Sequence, residues 1–224
     1  MPNLREMRPG LHRWTATHPD WEEDEGGADG WEPEVASLAY AGEGALVLVD
    51  PLVAGDDWRE LDELVEATGD PVSIVITCHW HSRSGGDALR RYVNSPGATT
   101  HTHSAGVRKM PFEVTHPFEG DASLPGGVDA IESDRGHGEA VLWLERAKTL
   151  VVGDVLLGAQ GTRTEALRLC PEDWLDGTTL DDVRNALRPL TRLPVEAVVP
   201  LHGAPVLEGA ADALKAAIDR PGFP

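Results

Sequence analysis

Two histidines separated by one residue, His79 and His81, have the clearest potential for chemistry in this sequence. The β-branched run at 74–76 predicts a buried strand that ends just before them. Open α/β sheets collect ligands and metals at the carboxyl ends of their strands. Imidazole is the commonest protein ligand of zinc, so the pair predicts a metal site. The pair alone is also typical of histidines that are solvated or hydrogen-bonded.

Three further polar side chains lie at the ends of predicted strands. His137 precedes one strand, whereas Asp154 and His202 each follow one. Each position alone is ambiguous, because Gly-Asp is a common turn and strand-end histidines are usually solvated. Together with the histidine pair, they predict one cleft that receives side chains from four strand ends. The remaining candidate histidines are expected outside that cleft: His101, His103 and His116.

These motifs, in this order, resemble those of the metallo-β-lactamase superfamily over nearly the whole chain. They are His79-x-His81, Gly136-His137, Gly153-Asp154 and Leu201-His202-Gly203, with Asp50 ending an earlier strand. The resemblance implies an α+β fold, a four-layer αββα sandwich, as a single domain over residues 1–224. It also implies a hydrolase that uses one or two metal ions, usually zinc.

The resemblance implies a role for each motif residue. His79, His81 and His137 would bind the first metal ion, while Asp154 would bridge to a second ion that His202 also binds. Three histidines and a water molecule meet the needs of a catalytic zinc ion.

The motif is degenerate after the histidine pair. The family continues with x-Asp-His, whereas this chain has Arg83 and Ser84 and is one residue shorter before two glycines. Asp154 and His202 alone would hold a second ion poorly. We expect the guanidinium of Arg83 to pair with Asp154 in place of that ion, which leaves at most one zinc ion. The alternative is that the long side chain of Arg83 turns away and pairs with an acidic residue at the surface. The missing aspartate normally helps to orient the attacking water, so its loss also questions activity.

Two hypotheses about function follow. In the first, the protein is a single-zinc hydrolase of a small molecule. Asp154 or His202 would then act as base or orient the water, and Arg83 would bind an anionic substrate. In the second, the protein is a non-catalytic relative whose vestigial, metal-free site serves binding or interaction. We favour the hydrolase because all three histidines of the first site are present.

Composition restricts the partners. A net charge of −19 opposes binding to nucleic acids and to anionic membranes. The sequence has no apolar run long enough to span a bilayer and no apolar segment typical of a secretory signal, so we expect a cytoplasmic protein. Two cysteines, Cys78 and Cys170, do not form a disulfide framework, and Cys78 resembles a small buried hydrophobe.

Strands and helices must position the site. Early hairpins followed by alternating strands and helices predict two packed sheets with helices on their outer faces. The sequence pattern predicts a strand at 112–114, a loop at 158–172, and helices at 56–68, 180–193 and 205–219, with Thr179 as the N-cap of the second helix. The acidic segment 20–34, which contains Trp21 and Trp31, is interpreted as a loop. It would cover the cleft as a lid, pack on a partner subunit, or remain poorly ordered.

Overall fold

Seven strands form the first sheet, and they follow one another in chain order. The computed structural model describes residues 3–27 and 30–220. The strands are β1 (Arg5–Arg8), β2 (Leu11–Thr17), β3 (Glu34–Ala41), β4 (Leu46–Val49), β5 (Val72–Ile76), β6 (Ala98–His103) and β7 (His116–Phe118). Pairing is antiparallel from β1 to β4 and parallel from β4 to β7. Helices α1 (Arg59–Thr68) and α2 (Gly85–Tyr92) make the connections on either side of β5.

Five strands form the second sheet, in the order β14, β11, β10, β9, β8. They are β8 (Ala122–Leu124), β9 (Val128–Glu132), β10 (Ala140–Leu144), β11 (Thr149–Val152) and β14 (Ala197–Pro200). Only the β11–β14 pair is parallel within this sheet as described. A small antiparallel pair, β12 (Leu156–Gly158) and β13 (Leu167–Leu169), lies beside it. Helices α3 (Leu180–Leu187) and α4 (Ala210–Asp219) follow.

Three apolar cores separate four layers. Between the two sheets, Leu38 and Val49 pack with Leu142 and Val199. The outer face of the first sheet packs against α1 and α2, and the outer face of the second packs against α3 and α4. Every residue of β4, β5, β10 and β11 is buried, because each of these strands is covered on both faces. The predicted αββα sandwich is therefore confirmed.

Three details of the sequence-based elements were wrong. No strand forms at 112–114; the edge strand is β7, where Pro117 is tolerated because an edge strand need not donate every N–H. The predicted loop at 158–172 includes β13. The last helix begins at Ala210 rather than at residue 205.

The two remaining helices are shorter than predicted. Helix α1 begins at Arg59 rather than at residue 56. The predicted cap at Thr179 is confirmed, since its hydroxyl accepts the N–H of Asp182 at 3.2 Å. Helix α3 then ends at Leu187 and continues as a 3₁₀ turn over Arg188–Arg192. Pro189 explains this change, because its ring removes one helical hydrogen bond and crowds the preceding turn.

In the part of the chain that the structure describes, no helix combines the length and the apolar character needed to cross a membrane.

Candidate functional site

The sequence motifs meet at one edge of the two sheets. His79 and His81 lie in a 3₁₀ turn (His79–Ser82) just after β5, and His137 lies in the turn between β9 and β10. Asp154 follows β11 and His202 follows β14. A cavity of about 430 Å³ opens here, and its wall includes His81, Arg83, His137, Asp154 and His202.

Asp154 lies between two histidines. Its Oδ1 is 3.2 Å from Nε2 of His81 and 3.0 Å from Nε2 of His202. Burial alone would raise the pKa of Asp154, but the charge of His81 and the contacts with both imidazoles outweigh burial and hold the pKa well below its usual range. Oδ1 is nevertheless a buried oxygen without a well-aligned hydrogen bond. Two ring nitrogens thus approach this carboxylate oxygen, but neither forms a well-aligned hydrogen bond with it.

Asp50 fixes the orientation of His81 from the other side. Nδ1 of His81 is 2.9 Å from Oδ2 of Asp50 and 3.1 Å from the hydroxyl of Thr77. The Thr77 N–H donates to Oδ1 of Asp50 at 2.8 Å, and its hydroxyl donates to Oδ2 of the same carboxylate. Burial lowers the pKa of His81, but Cys78 and the carboxylates of Asp154 and Asp50 outweigh burial and raise it well above its ordinary value.

Trp80 and Arg135 occupy the second oxygen of Asp154. The indole Nε1 of Trp80 donates to Oδ2, and Nη2 of Arg135 lies 3.5 Å from the same atom. The guanidinium of Arg135 stacks 4.9 Å from the Trp80 ring and pairs with Glu139 at 2.8 Å. Burial raises the pKa of Glu139 to about 7, although Arg135 opposes this shift. Our reading of the sequence missed these three residues; the proximity of Arg135 and Glu139 to the His137 motif was the available signal.

Arg83 does not have the predicted partner. Its Nη1 donates to the backbone carbonyls of Ala36 and Asp50, at 2.6 and 3.1 Å. The guanidinium that pairs with Asp154 belongs to Arg135 instead, so the predicted Arg83–Asp154 pair was wrong. Arg83 has φ 37° and ψ −122°, an unusual conformation for a residue with a side chain. In this conformation, its side chain reaches the carbonyl of Ala36 in β3 and that of Asp50 directly after β4.

His79 and His137 form a separate pair. Their ring centroids lie 5.6 Å apart. Burial, together with Lys109 and the neighbouring histidines, lowers the pKa of His79 to about 4, and its Nδ1 is a buried atom without a hydrogen-bond partner. Nε2 of His137 lies 3.3 Å from Oδ2 of Asp176. The three-histidine ligand set, His79, His81 and His137, stays a prediction.

The donor group that the structure brings together is a different one. Within the described residues, Cys78, His81 and Asp154 each offer an atom such that all three atoms lie within 4.8 Å of one another, and all three residues are buried. Burial raises the pKa of the Cys78 thiol to about 12. A sulfur, an imidazole nitrogen and a carboxylate oxygen are the donor types that zinc prefers. The group could therefore hold a metal ion. Cys78 was expected to be only a small buried hydrophobe, but here its sulfur is also a possible metal ligand.

Residues of the acidic segment line the cavity, although residues 28 and 29 are outside the described residues. The ring of Trp31 meets His202 edge-on at 5.2 Å and His18 at 5.3 Å. Trp21 donates its indole N–H to the carbonyl of Trp31 at 3.0 Å. Asp20 also lines the cavity. The segment therefore contributes both aromatic surface and negative charge to the site.

The three histidines that were expected outside the cleft lie on β6 and β7. His101 and His116 stack with ring centroids 5.2 Å apart, and Nε2 of His103 lies 2.7 Å from Glu132. None of the three lines the cavity described above.

Comparison with known proteins identifies the fold. Neither a protein-family model nor a curated protein sequence matches the chain. Among solved structures, the DIM-1 metallo-β-lactamase is 14% identical, with 97% of each chain covered and a TM-score of 0.68. FIM-1 from Pseudomonas aeruginosa, in its mono-zinc form, is 13% identical over 97% of this chain and 93% of that chain, with a TM-score of 0.68. A metallo-β-lactamase from Hirschia baltica is 16% identical over 99% of both chains, with a TM-score of 0.66. The chain therefore has the metallo-β-lactamase fold.

Proposed function

We propose that the protein is a metal-dependent hydrolase of a small molecule, with one zinc ion held by Cys78, His81 and Asp154. The observation that carries the proposal is the convergence of these three buried donors within 4.8 Å. Ligand atoms of a tetrahedral zinc site lie about 3.3 Å apart, because zinc bonds to nitrogen and oxygen are about 2.0–2.2 Å long. The 3.2 Å between Nε2 of His81 and Oδ1 of Asp154 agrees with that spacing.

The fold neighbours support this reading. They are metallo-β-lactamases, and one of them, FIM-1, is described in a mono-zinc form. A bound zinc ion would supply Lewis acidity and lower the pKa of a water molecule to about 7. The remaining catalytic tasks would fall to residues of this chain.

Two of those residues have assignable tasks. Asp50 holds the His81 ring through Nδ1 and leaves Nε2 directed at Asp154. Nε2 of His202 lies against Asp154, whereas its Nδ1 has no hydrogen-bond partner within the described residues. Burial lowers the pKa of His202, so its ring is neutral at pH 7 and Nδ1 can accept a proton. His202 is therefore our candidate for the general base.

Metal stoichiometry tests the proposal. Untagged protein would be stripped with a chelator, titrated with zinc and analysed for bound metal. The parent is expected to bind one ion per chain, Cys78→Ala and Asp154→Asn to bind at least about tenfold more weakly, and His137→Ala to bind as the parent does. Loss of binding in His137→Ala but not in Cys78→Ala would assign the ion to the three-histidine set. A parent that binds no zinc would refute the hydrolase.

A second candidate, a non-catalytic relative with a vestigial site, has one observation in its favour. Trp80 and Arg135 already occupy Oδ2 of Asp154, and His81 lies between two carboxylates, so the chain satisfies much of its own ligand set without an ion. The same titration separates the two candidates. A folded, metal-free protein that cleaves none of a panel of esters, amides, thioesters and phosphodiesters would favour the binding module.

A further inference from the structure

We infer that the cavity binds a small organic cation with an apolar body, held by tryptophan rings and by the carboxylates of Asp20 and Glu25. The inference names the substrate class of the proposed hydrolase, and in that respect it rests on the proposed function. The binding itself is a separate property, which can be measured without metal and without turnover. The sequence led us to expect an anionic substrate, but the accessible groups of the cavity favour the opposite charge.

The two arginines of the cavity wall are closed off from a ligand. Nη1 of Arg83 donates to two backbone carbonyls, and its Nε and Nη2 are buried atoms. The side chain of Arg135 is only 5% exposed; its Nη1 pairs with Glu139, and its Nη2 lies 3.5 Å from Asp154. An anion in the cavity would have to displace these contacts to reach either guanidinium.

The imidazole of His81 is enclosed as well. Its side chain is 4% exposed, and its two nitrogens lie 2.9 Å from a carboxylate oxygen of Asp50 and 3.2 Å from one of Asp154. Buried carboxylates of the protein thus already face the basic groups of the wall. The charges that remain for a ligand are those of exposed side chains.

The exposed charges of the cavity wall are negative. Asp20 and Glu25 both belong to the acidic segment, line the cavity and are exposed. Their carboxylates attract a cation that enters the cavity and repel an anion. The net charge of the whole chain, −19, acts in the same direction over a longer range.

Backbone contacts hold the acidic segment in place. The N–H of His18 donates to the carbonyl of Pro33 at 2.8 Å, which joins the two ends of the segment. The N–H of Trp31 donates to the carbonyl of Glu25 at 3.1 Å, and the indole of Trp21 donates to the carbonyl of Trp31 at 3.0 Å. The backbone positions of both carboxylates are therefore set before a ligand arrives, which lowers the entropic cost of binding.

Three partly exposed tryptophans, Trp31, Trp80 and Trp174, supply the apolar surface of the cavity. Tryptophan is the aromatic residue that attracts a cation over its ring most strongly. Two of these rings already do so within the protein, because the guanidinium of Arg135 lies 4.9 Å from the Trp80 centroid and 5.9 Å from that of Trp174. Trp31 has no arginine or lysine over its ring among the described residues, so its ring remains for the ligand.

Calorimetric titration of metal-free, full-length protein tests the inference. The probes are the cation benzamidine, its neutral isostere benzamide, the anion benzoate, and acetamidine, which has the cationic group without the ring. All are titrated at pH 7.5 and constant ionic strength. Benzamidine is expected to bind at least about fivefold more tightly than the other three, because it alone combines a positive charge with an apolar body.

Each comparison can contradict one part of the inference. Equal binding of benzamidine and benzamide would overturn the role of charge, and tighter binding of benzoate would overturn its sign. Equal binding of benzamidine and acetamidine would overturn the role of the tryptophan surface. Because the protein is metal-free throughout, failure of this binding leaves the zinc stoichiometry unaffected, and failure of zinc binding leaves this result unaffected.

Two double variants assign the binding to the cavity wall. Asp20→Asn with Glu25→Gln removes both carboxylates and is expected to weaken benzamidine binding at least about fivefold. Glutamine can still accept the N–H of Glu22, which Glu25 accepts at 3.0 Å. Glu23→Gln with Asp24→Asn is the matched control, because both residues are exposed, lie in the same segment outside the cavity wall and change the net charge equally. The control should bind benzamidine as the parent does, and equal affinities in the two double variants would refute the assignment.

Discussion

The indole nitrogen of Trp80 donates a hydrogen bond to Oδ2 of Asp154 over 2.5 Å. Trp80 is the residue between the two motif histidines, and its ring also lies 4.4 Å from that of His79 and 5.1 Å from that of His137. The Trp80 side chain thus donates to one oxygen of Asp154, a candidate metal ligand. It also contacts the rings of both His79 and His137. We expect the contact with Oδ2 to limit the availability of Asp154 to a metal ion.

Replacement of Trp80 by phenylalanine is expected to tighten zinc binding. The change keeps an aromatic ring and removes the N–H, and a hydrogen bond to a charged acceptor contributes about 1.5–3 kcal/mol. Release of Oδ2 should therefore raise the zinc affinity about tenfold or more, as measured by competition with a chromophoric chelator. Trp174→Phe is the control, because Trp174 lines the same cavity and contacts Arg135 at 5.9 Å. Equal zinc affinities in the parent and Trp80→Phe would show that this hydrogen bond does not limit access to Asp154.

Loss of the Arg135 guanidinium is expected to destabilise the fold strongly. Arg135 and Glu139 form a buried pair at 2.8 Å, with 5% and 0% of their side chains exposed. Removal of one partner of a buried pair typically costs about 3–5 kcal/mol, because the remaining group must stay buried unpaired or change its protonation state. Arg135→Met should lower the free energy of unfolding in urea by that amount, and Arg135→Met combined with Glu139→Gln should recover part of it.

The exposed pair Arg90–Asp87 provides the control for this series. Arg90→Met should cost no more than about 1 kcal/mol, because exposed ion pairs contribute little. A cost for Arg135→Met as small as that for Arg90→Met would contradict the structural role assigned to Arg135.

His101 is expected to make the protein less stable in mild acid. Burial and the stacked His116 lower the pKa of His101 to about 4, below its ordinary value of 6.5. The unfolded chain therefore takes up a proton more readily than the folded protein, so this contribution to stability is complete above pH 6.5 and is lost as the pH falls towards 4. Between pH 7.5 and pH 5 the loss amounts to about 2 kcal/mol.

The comparison is urea unfolding of the parent and of His101→Gln at several pH values. His79, His18 and His202 also have lowered pKa values, so the parent curve includes their contributions. Only the difference between the two curves reports on His101. It should shrink by about 2 kcal/mol between pH 7.5 and pH 5, and parallel curves would contradict the prediction.

Alanine at Gly42 is expected to disturb the packing of two turns. A Cβ there would lie 2.2 Å from the carbonyl oxygen of Gly126, a backbone atom that cannot move aside alone. Gly42 belongs to the β3–β4 turn and Gly126 to the β8–β9 turn, and Glu43 donates its N–H to the same oxygen at 3.2 Å. Gly42→Ala should therefore cost more than about 2 kcal/mol of unfolding free energy, because it drives the two sheets apart locally.

Gly44 in the same turn is the matched control. It has φ +66°, but a methyl group added to its Cα would have no atom of the described residues within 4 Å. Gly44→Ala should therefore cost only about 1 kcal/mol, through backbone strain. Equal losses for the two variants would attribute both to backbone conformation rather than to the contact between turns.

Local sequence signals predicted where the chemistry-bearing residues leave the sheets. The apolar run of β5 ends just before His79, and the run of β11 ends just before Asp154, because buried strands require continuous apolar residues and stop where polar ones begin. Thr179, predicted as an N-cap, likewise set the start of α3, because a cap acts within a few residues of sequence. Backbone direction and strand ends are local properties, so the sandwich and the edge that carries the site could be predicted.

Only the tertiary structure decided which side chains meet there. Trp80 and Asp154 are 74 residues apart in sequence, and no periodicity connects them. Arg83 and Ala36 are likewise 47 residues apart in sequence. The hydrogen bond between them holds Arg83, the predicted partner of Asp154, away from Asp154. The partner of a long side chain depends on its backbone dihedrals and on which acceptors the packed sheets bring within reach. For that reason Arg135 rather than Arg83 pairs with Asp154, and Cys78, which the sequence indicated only as a small buried hydrophobe, joins His81 and Asp154 in the donor group.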